Sequence, residues 1–382
     1  MPARPCHIEG VDAATGEWTL WLWLGLGVLA LLVAWWLHLV FWVRRLAVPM
    51  RYHEVLPLEA GDGGRFVLRR LLSPERVDVT RPPVLLVHGV AANHRNLDAH
   101  PQVSLARMLG ERGRDVWLLT LRSGLPRRER RKVRVRFDAM ARHDVPEAIA
   151  AVLERTGAGR LDYVGFSMGG MLLYAALGSA ALDQGRLRRA VIIGSPARVL
   201  SPLPGLRFLA RLPRWLVPTF PLRLAARSYA FAADWLRTPW HALVYNHEHL
   251  APGHAPAALV NVIEDVPASL NADLAEQLVH GEVRAGGERV IDRLAEVEVP
   301  ALFLAGAADR IAPPEAVEAG FEVWGAEQDT PKRFEVIGKA QGASGDYGHG
   351  DLAVGQTARE EVFPRVVAFL DEAGAPPRGG AS

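Results

Sequence analysis

Residues 165–170 read GFSMGG, so that Ser167 stands in the pattern G-x-S-x-G. The mostly apolar run before it, residues 161–164, predicts a short buried strand. The run after it, residues 171–177, is rich in residues that favour a helix. A strand, a sharp turn and a helix in this order would hold Ser167 at the apex of the turn with its hydroxyl group exposed.

The neighbours of the serine fit such a turn. Side chains two positions before or after the apex would collide, and Gly165 and Gly169 avoid that collision. The backbone N–H of Met168 would then point to the place where a negatively charged oxygen forms when the serine attacks a carbonyl. The alternative interpretation is a glycine-rich turn that carries a surface serine.

A serine hydroxyl becomes a good nucleophile when a base, most often a histidine oriented by a carboxylate, takes its proton. The candidate carboxylate is Asp309. It follows residues 299–306, which predict a buried strand, and the carboxyl ends of parallel strands are where such sites are built. The alternative for Asp309 is a turn or a helix cap before Pro313-Pro314. Asp292 and Asp329 are weaker candidates, because neither directly follows a predicted strand.

The candidate base is His349, which two glycines flank in a polar loop after the predicted strand 333–337. It is the only histidine after His280, so this region offers no competing base. Asp351 is interpreted as a structural partner or a helix cap, and Asp346 as a less favoured alternative acid. The serine, the acid and the histidine thus follow one another in the chain order of one known class of hydrolase.

A second donor for the developing oxyanion is expected upstream of the serine. Residues 83–87, PVLLV, form a continuous apolar run and predict a buried parallel strand. His88, Gly89 and Val90 follow it, and the Val90 N–H is the candidate donor beside that of Met168. Because His88 precedes the serine in the chain, we interpret it as a structural hydrogen-bonding residue and not as the base.

Together these motifs resemble the acid lipase branch of the α/β-hydrolases, the gastric and lysosomal type with its bacterial relatives. The resemblance is carried by residues 88–90, 104–109, 113–118, 137–146, 161–170 and 347–351. It implies an α/β-hydrolase fold, with a mostly parallel central sheet and helices on both faces. It also implies Ser167 as nucleophile, Asp309 as acid and His349 as base, with Val90 and Met168 as backbone donors. The implied substrate is a carboxylic ester or a lipid.

Two stretches depart from the resemblance. Residues 119–124, LTLRSG, match the corresponding acid lipase motif only in part, and in residues 196–298 we identify no match to an acid lipase motif. The polyhydroxyalkanoate synthases are similar in the other motifs but use a cysteine at the turn. The only cysteine of this chain is Cys6, near the amino terminus, which excludes that chemistry.

The unmatched region is expected to be a helical cap inserted after a sixth strand at residues 190–194. The predicted organisation has two core parts, 52–195 and 299–373, around a cap at 196–298. Within the cap, residues 206–212 and 214–217 look amphipathic, as expected of a lid that forms an acyl pocket and touches a membrane. The alternative is ordinary packing of these segments against the sheet.

Residues 18–43 form an almost wholly apolar run with tryptophans near both ends, which predicts a transmembrane helix. A cleaved signal peptide fits less well, because the run is long and the leading segment is acidic. Three arginines follow the run, whereas acidic residues predominate before it, so we expect a single-pass protein with its catalytic domain in the cytoplasm. Residues 1–17 are a predicted tail and residues 374–382 a predicted disordered tail.

Composition narrows the function further. The 44 basic and 42 acidic residues nearly balance, which disfavours a nucleic-acid partner. The single cysteine excludes an intramolecular disulfide and a cysteine-based zinc site, and we expect no cofactor and no metal. Residues Arg127–Arg136 are strongly basic, which is typical either of a solvated loop or of contact with anionic lipid headgroups.

The sequence therefore predicts a membrane-anchored serine hydrolase that cleaves carboxylic esters through an acyl-enzyme, and lipid esters are the expected substrates. Acyl transfer is the close alternative, because an alcohol or thiol can intercept the same acyl-enzyme in place of water. A non-catalytic membrane scaffold is the remote alternative, since a scaffold has no need of an intact serine, acid and histidine.

Overall fold

The computed structural model describes residues 11–130, 133–203, 205–238 and 241–372. The chain forms two compact units, Met1–Ala47 and Val48–Ser382, which are considered separately. The predicted tail at 374–382 and the first ten residues of the predicted amino-terminal tail lie outside the described residues, as do Arg131 and Lys132 of the basic run.

The first unit is a single long helix, α1, Val11–Leu46. Its apolar part, Trp18–Leu46, has 29 residues and a mean hydropathy of 2.2, and none of it is buried. At a rise of 1.5 Å per residue this part is about 44 Å long, which exceeds the hydrocarbon thickness of a bilayer. The helix is therefore a candidate membrane span that contains the predicted residues 18–43.

The second unit is built on an eight-stranded sheet with the order β1-β2-β4-β3-β5-β6-β9-β10. In this sheet the pairs β1–β2 and β2–β4 are antiparallel and the other five neighbouring pairs are parallel, so the predicted mostly parallel sheet is confirmed. Two further strands, β7 and β8, form a separate small ribbon. The strands are β1 Glu54–Glu59, β2 Arg65–Arg70, β3 Val84–Val87, β4 Val116–Thr120, β5 Leu161–Phe166, β6 Leu187–Ile193, β7 Arg284–Ala285, β8 Glu288–Arg289, β9 Ala301–Gly306 and β10 Lys332–Ile337.

Helices cover the sheet and fill the connections. One stretch is continuous from α4 into α5 through a single π-helical turn at Met140–Asp144. The helices after α1 are α2 Leu105–Glu111, α3 Arg127–Arg130, α4 Phe137–Ala139, α5 Val145–Thr156, α6 Met168–Gly178, α7 Leu206–Leu209, α8 Leu222–Tyr229, α9 His241–Val244, α10 His254–Asn261, α11 Ala268–His280, α12 Pro314–Val323, α13 Asp351–Val354, α14 Ala358–Glu361 and α15 Phe363–Asp371.

The central strands are buried on both faces, which explains their continuous apolar runs. In β4, all five residues are buried. Trp117 and Leu119 pack into the hydrophobic cluster on one face of the sheet, whereas Val116 and Leu118 pack into the cluster on the other. This alternation follows from the two-residue period of a strand.

The chain between β6 and β9 carries α7 to α11 and the β7–β8 ribbon, in the region predicted as the cap. Parts of this region pack against the sheet, whereas other parts expose large apolar side chains as expected of a lid. In α11, Leu270 is fully buried and belongs to the cluster on one face of the sheet, as ordinary packing requires. In α7 and in the 3₁₀ turn Arg214–Leu216, by contrast, Phe208 and Trp215 remain 76% and 81% exposed.

The loop after β4, which matches the acid lipase motif only in part, is held by the buried side chain of Arg122. The Arg122 guanidinium donates to Asp144 Oδ1 over 2.9 Å from Nε and to both carboxylate oxygens of Asp62 over 2.6 and 2.8 Å. The Arg122 backbone N–H also donates to Asp144 Oδ2 over 3.0 Å. The Asp144 side chain is fully buried, so its negative charge depends on this one cation.

We expect the substitution Arg122→Met to lower the free energy of unfolding by about 3–5 kcal/mol, because Asp144 then stays buried without its cation. Urea unfolding of the detergent-solubilised chain measures the change. The double variant Arg122→Met with Asp144→Leu should regain most of the loss, because it removes the uncompensated charge. Arg128→Met is the matched control, because that side chain is 84% exposed. A loss below about 1 kcal/mol for Arg122→Met would contradict this role for the buried pair.

Candidate active site

The turn between β5 and α6 is one residue long. β5 ends at Phe166, α6 begins at Met168, and Ser167 between them has φ 53° and ψ −119°. A positive φ is uncommon for a residue with a side chain and stores backbone strain, which is typical of functional turns. The G-x-S-x-G motif therefore forms the strand–turn–helix unit predicted for it.

The two glycines of the motif allow the close approach of backbone segments. A Cβ atom on Gly165 would lie 2.6 Å from the Gly170 nitrogen. A Cβ atom on Gly169 would lie 2.4 Å from the carbonyl oxygen of Val87, at the end of β3. Any larger residue at either position would push the turn away from the sheet, which is the collision expected from the sequence.

Three side chains from distant parts of the chain meet at this turn. His349 Nε2 lies 2.9 Å from Ser167 Oγ, and His349 Nδ1 lies 2.7 Å from Asp309 Oδ2. The other oxygen of Asp309 accepts hydrogen bonds from the backbone N–H groups of Ile311 and Ala312, each over 2.8 Å. A carboxylate held in this way favours the tautomer with a proton on Nδ1 and leaves Nε2 free to accept the serine proton.

The sheet topology explains why these three side chains lie together. β9 and β10 are parallel neighbours, and Asp309 and His349 lie in the loops that follow them. The carboxyl ends of parallel strands share one edge of the sheet. The three residues are buried, with Ser167 4%, Asp309 3% and His349 6% exposed.

The weaker acid candidates lie elsewhere. Asp292 is in an exposed 3₁₀ turn and pairs with Arg289 over 3.3 Å. Asp329 is exposed, and Asp346 is exposed and accepts a hydrogen bond from the Lys339 backbone N–H over 2.9 Å. Within the described part of the chain, none of these three carboxylates hydrogen-bonds to a histidine side chain.

His88 is positioned for a structural role, as expected. Its Nε2 accepts a hydrogen bond from the Leu121 backbone N–H over 3.1 Å, so Nδ1 carries the proton and donates to the Gly89 carbonyl over 2.8 Å. Complete burial lowers the pKa of His88 to about 4, so the ring is neutral at physiological pH.

The loop with the candidate oxyanion donors lies beside the serine. A Cβ atom on Gly89 would be 3.0 Å from the Ser167 Cβ, and the Gly89 N–H donates to Asn96 Oδ1 over 3.1 Å, which fixes the loop. Within the described residues of the second unit, the Val90 N–H has no hydrogen-bond acceptor. Met168 opens α6, and the first N–H groups of a helix have no acceptor within the helix.

One cap segment is bound to the loop that carries His349. The Asp351 carboxylate accepts a hydrogen bond from the Gly348 N–H over 2.7 Å and two from the Asn246 N–H over 2.8 and 2.9 Å. The Gly350 N–H donates to the Val244 carbonyl over 2.6 Å. Asp351 is therefore a structural partner of the loop, the first of its two predicted roles.

A second cap segment is bound to the loop that follows β3. The Glu264 N–H donates to the Ala91 carbonyl over 2.8 Å, and the Asn93 N–H donates to the Val262 carbonyl over 3.2 Å. The Asn93 side chain also donates to the Asn261 carbonyl over 3.1 Å. Sequence reasoning missed these contacts, because the paired residues are at least 168 positions apart and carry no local motif.

In the basic run, some arginines are paired with other residues and some are exposed. Its first part is helical, and Arg130 donates to the carbonyls of Ser123 and Asp265 over 3.0 and 2.9 Å. Arg136 pairs with Asp138 and Asp273 over 3.2 and 3.3 Å. The side chains that remain exposed in the described part of the run are Arg127, Arg128 and Arg134.

The chain is similar to known proteins in both sequence and structure. A family model described as the alpha/beta hydrolase fold matches residues 82–341. Human lipase member K is 35% identical over 105 residues, which cover 25% of this chain and 26% of the lipase. Gastric triacylglycerol lipase of Rattus norvegicus is 30% identical over 156 residues, which cover 38% of each chain. A thermophilic esterase from Thermogutta terrifontis has a TM-score of 0.54 at 19% identity, over 84% of this chain and 100% of the esterase.

The matches to lipases are partial, since they span between about a quarter and two fifths of those proteins. They confirm the resemblance to the acid lipase branch. The family match is more extensive and covers well over half of this chain. From the sheet order, the strained serine turn and this match, we conclude that the chain belongs to the alpha/beta hydrolase fold family.

Proposed function

We propose that this protein is a membrane-anchored serine hydrolase that cleaves carboxylic esters, with Ser167 as nucleophile, His349 as general base and Asp309 as its orienting carboxylate. One observation carries the proposal: Ser167 Oγ, His349 Nε2 and the Asp309 carboxylate are joined by two hydrogen bonds of 2.9 and 2.7 Å. Partial similarity to lipases supports an ester substrate.

The proposed reaction follows from the positions of these groups. His349 Nε2 takes the hydroxyl proton as Ser167 Oγ attacks the ester carbonyl, and Asp309 stabilises the imidazolium. The N–H groups of Val90 and Met168 donate to the oxyanion of the tetrahedral intermediate. The intermediate collapses to an acyl-enzyme while His349 returns the proton to the departing alcohol. A water molecule, activated by the same histidine, then releases the carboxylic acid.

The exposed surface of the cap supports a lipid ester. Residues 206–237 include six arginines and one aspartate. In the same segment large apolar side chains are exposed, which is typical of a surface that binds another protein or a membrane. We refer to the following residues as the exposed cap residues: Phe208, Leu212, Trp215, Leu216, Phe220, Leu224 and Trp235. Tryptophan and arginine together suit a membrane interface.

The membrane topology belongs to the same proposal. Arg44 and Arg45 lie in the last turn of α1, and Arg51 comes five positions after Leu46, the last residue of the helix. An excess of basic residues after a span predicts that the following domain is cytoplasmic. The exposed Arg127, Arg128 and Arg134 would then lie on the side of the membrane whose leaflet carries anionic lipids, and a basic residue near such a surface contributes about 1 kcal/mol to binding.

We expect a fluorophosphonate probe to label the wild-type protein and to leave the Ser167→Ala variant unlabelled, because the probe reacts with an activated serine. His349→Ala and Asp309→Asn should each lower kcat for a soluble ester by about 10⁴-fold. Asp346→Asn is the matched control, since Asp346 is exposed in the same loop. Unchanged labelling of folded Ser167→Ala would contradict the proposed nucleophile.

Activity on bilayer substrates should depend on the exposed cap residues. We expect Trp215→Ala with Phe208→Ala to lower hydrolysis of a lipid ester in reconstituted vesicles by about tenfold, since two interfacial aromatic contacts are lost. Hydrolysis of a soluble short-chain ester should stay within twofold. Val79→Ala is the matched control, because Val79 is 88% exposed outside the cap. An equal loss on both substrates would contradict an interfacial role.

The single cysteine provides a test of topology. Cys6 precedes the span, so a membrane-impermeant maleimide should label it on intact cells if the catalytic domain is cytoplasmic. In a Cys6→Ser background, Val79→Cys places the thiol in the following unit, where labelling should require permeabilised cells. The opposite pattern would reverse the proposed orientation.

A further inference from the structure

The loop that carries His349 is held from its two sides by one cap segment, residues 244–249. On one side, the Asn246 N–H reaches the Asp351 carboxylate, which also binds the Gly348 N–H. On the other, the Gly350 N–H donates to the Val244 carbonyl. The residues on both sides of His349 are thus fixed by hydrogen bonds: Gly348 to the Asp351 carboxylate, and Gly350 to the cap.

The Asp351 carboxylate is the centre of this arrangement. Its side chain is fully buried, and its three hydrogen bonds from two N–H groups measure 2.7, 2.8 and 2.9 Å. Asn246 and Asp351 are 105 positions apart, so the carboxylate joins the cap to the β10 loop and does not merely close a local turn. The contact with Gly348 is buried, so losing the carboxylate would leave the Gly348 N–H without an acceptor.

The packing leaves little room for adjustment. A Cβ atom on Gly348 would lie 3.2 Å from Asp351 Oδ2 and 3.3 Å from the Asn246 nitrogen. On the neighbouring side, the His249 ring stacks on Tyr347 with centroids 4.0 Å apart, and the Gln356 N–H donates to the His249 carbonyl over 2.7 Å. A shift of residues 244–249 would therefore be transmitted to the backbone on both sides of His349.

We propose that Asp351 is a positioning residue that makes the alignment of His349 with Ser167 depend on the seating of cap segment 244–249. The inference rests on the proposed function, because it takes His349 to be the base. The carboxylate does not touch the reacting atoms. It acts through the Gly348 and Asn246 N–H groups, and misplacement of a base by about 1 Å can cost about 10²-fold in rate.

The ionisation of Asp351 bears on this role. Burial raises the pKa of Asp351 to about 7, the negative charge of Asp309 adds to the rise, and the two backbone N–H groups and His349 oppose it. The other titratable groups that face it are the phenols of Tyr245 and Tyr347. As the pH falls through about 7, the carboxylate gains a proton and presents one acceptor fewer, so the link weakens. Above that pH the ionised carboxylate accepts all three hydrogen bonds from the Gly348 and Asn246 N–H groups.

The first experiment compares wild type with Asp351→Asn, using hydrolysis of a soluble ester by the full-length protein between pH 5.5 and 9. We expect kcat to be lower in the variant by on the order of 30-fold at pH 9, with KM unchanged. At pH 5.5 the two enzymes should differ by only about twofold, because the wild-type carboxyl is then itself protonated. A kcat within about threefold of wild type at pH 9, or a loss that appears only in KM, overturns the proposal.

The second experiment approaches the link from the cap. Asn246→Pro removes the N–H donor at a backbone φ of −93°, which is near the range of proline, whereas Asn246→Ala keeps the N–H. We expect Asn246→Pro to lower kcat as Asp351→Asn does, and Asn246→Ala to have a smaller effect. The double variant Asn246→Pro with Asp351→Asn should have a kcat no lower than that of the more impaired single variant. Additive losses would overturn the link between the two residues.

A third readout needs no catalysis. Hydrogen exchange of the Asp351→Asn protein should accelerate both in residues 244–249 and in residues 346–350, while the central strands keep their protection. Acceleration in only one of the two segments overturns the coupling. If Ser167→Ala still hydrolyses the ester, the proposed function fails and the positioning role fails with it, although the exchange data still show whether Asp351 joins the cap to the loop.

Discussion

The strained backbone at Ser167 is the constraint on which the rest of the site depends. With φ at 53°, the chain reverses within one residue, and the Ser167 N–H donates to the Ile193 carbonyl at the end of β6 over 2.8 Å. On the other side, the close approach of Gly169 to the Val87 carbonyl fixes the turn against β3. Such strain persists only where the surroundings over-determine it. Three parallel strands thus hold one hydroxyl group at the shared edge of the sheet.

The loops that complete the site depend on the same edge. The loop after β3 brings Val90, the loop after β9 brings Asp309, and the loop after β10 brings His349. Each loop is further fixed by hydrogen bonds within it, as in the two N–H groups that bind the second oxygen of Asp309. The sheet sets where the groups stand, and these local bonds set how they point.

The cap has two contrasting parts. Residues 244–249 and 261–264 hydrogen-bond to the loops after β10 and β3, next to the proposed base and the proposed oxyanion donor. The exposed cap residues lie between 208 and 235 and keep large apolar areas in solvent. In the proposed function, the bound segments stabilise the base and the oxyanion donor, whereas the exposed segment contacts a lipid surface. One insertion would then serve both substrate presentation and alignment of the site.

Local patterns predicted much of this arrangement. The apolar runs predicted the central strands because each is buried on both faces, and loop positions after those strands placed Asp309 and His349. The partners of Asp351 and Arg122 could not be predicted, because Asn246 and Asp144 are chosen by tertiary packing and not by spacing. The same reason limited the interpretation of the basic run. Arg130 and Arg136 look alike in sequence to Arg127 and Arg128 but are engaged by residues of the cap.

The most direct test of the proposed site is a crystal structure of the protein after reaction with a phosphonate ester, which imitates the tetrahedral intermediate. We expect phosphorus bonded to Ser167 Oγ, and a phosphoryl oxygen about 2.7–3.1 Å from the backbone nitrogens of Val90 and Met168. His349 Nε2 should stay within hydrogen-bonding distance of the bonded oxygen. A phosphonate on another residue, or an oxygen directed away from both nitrogens, would contradict it.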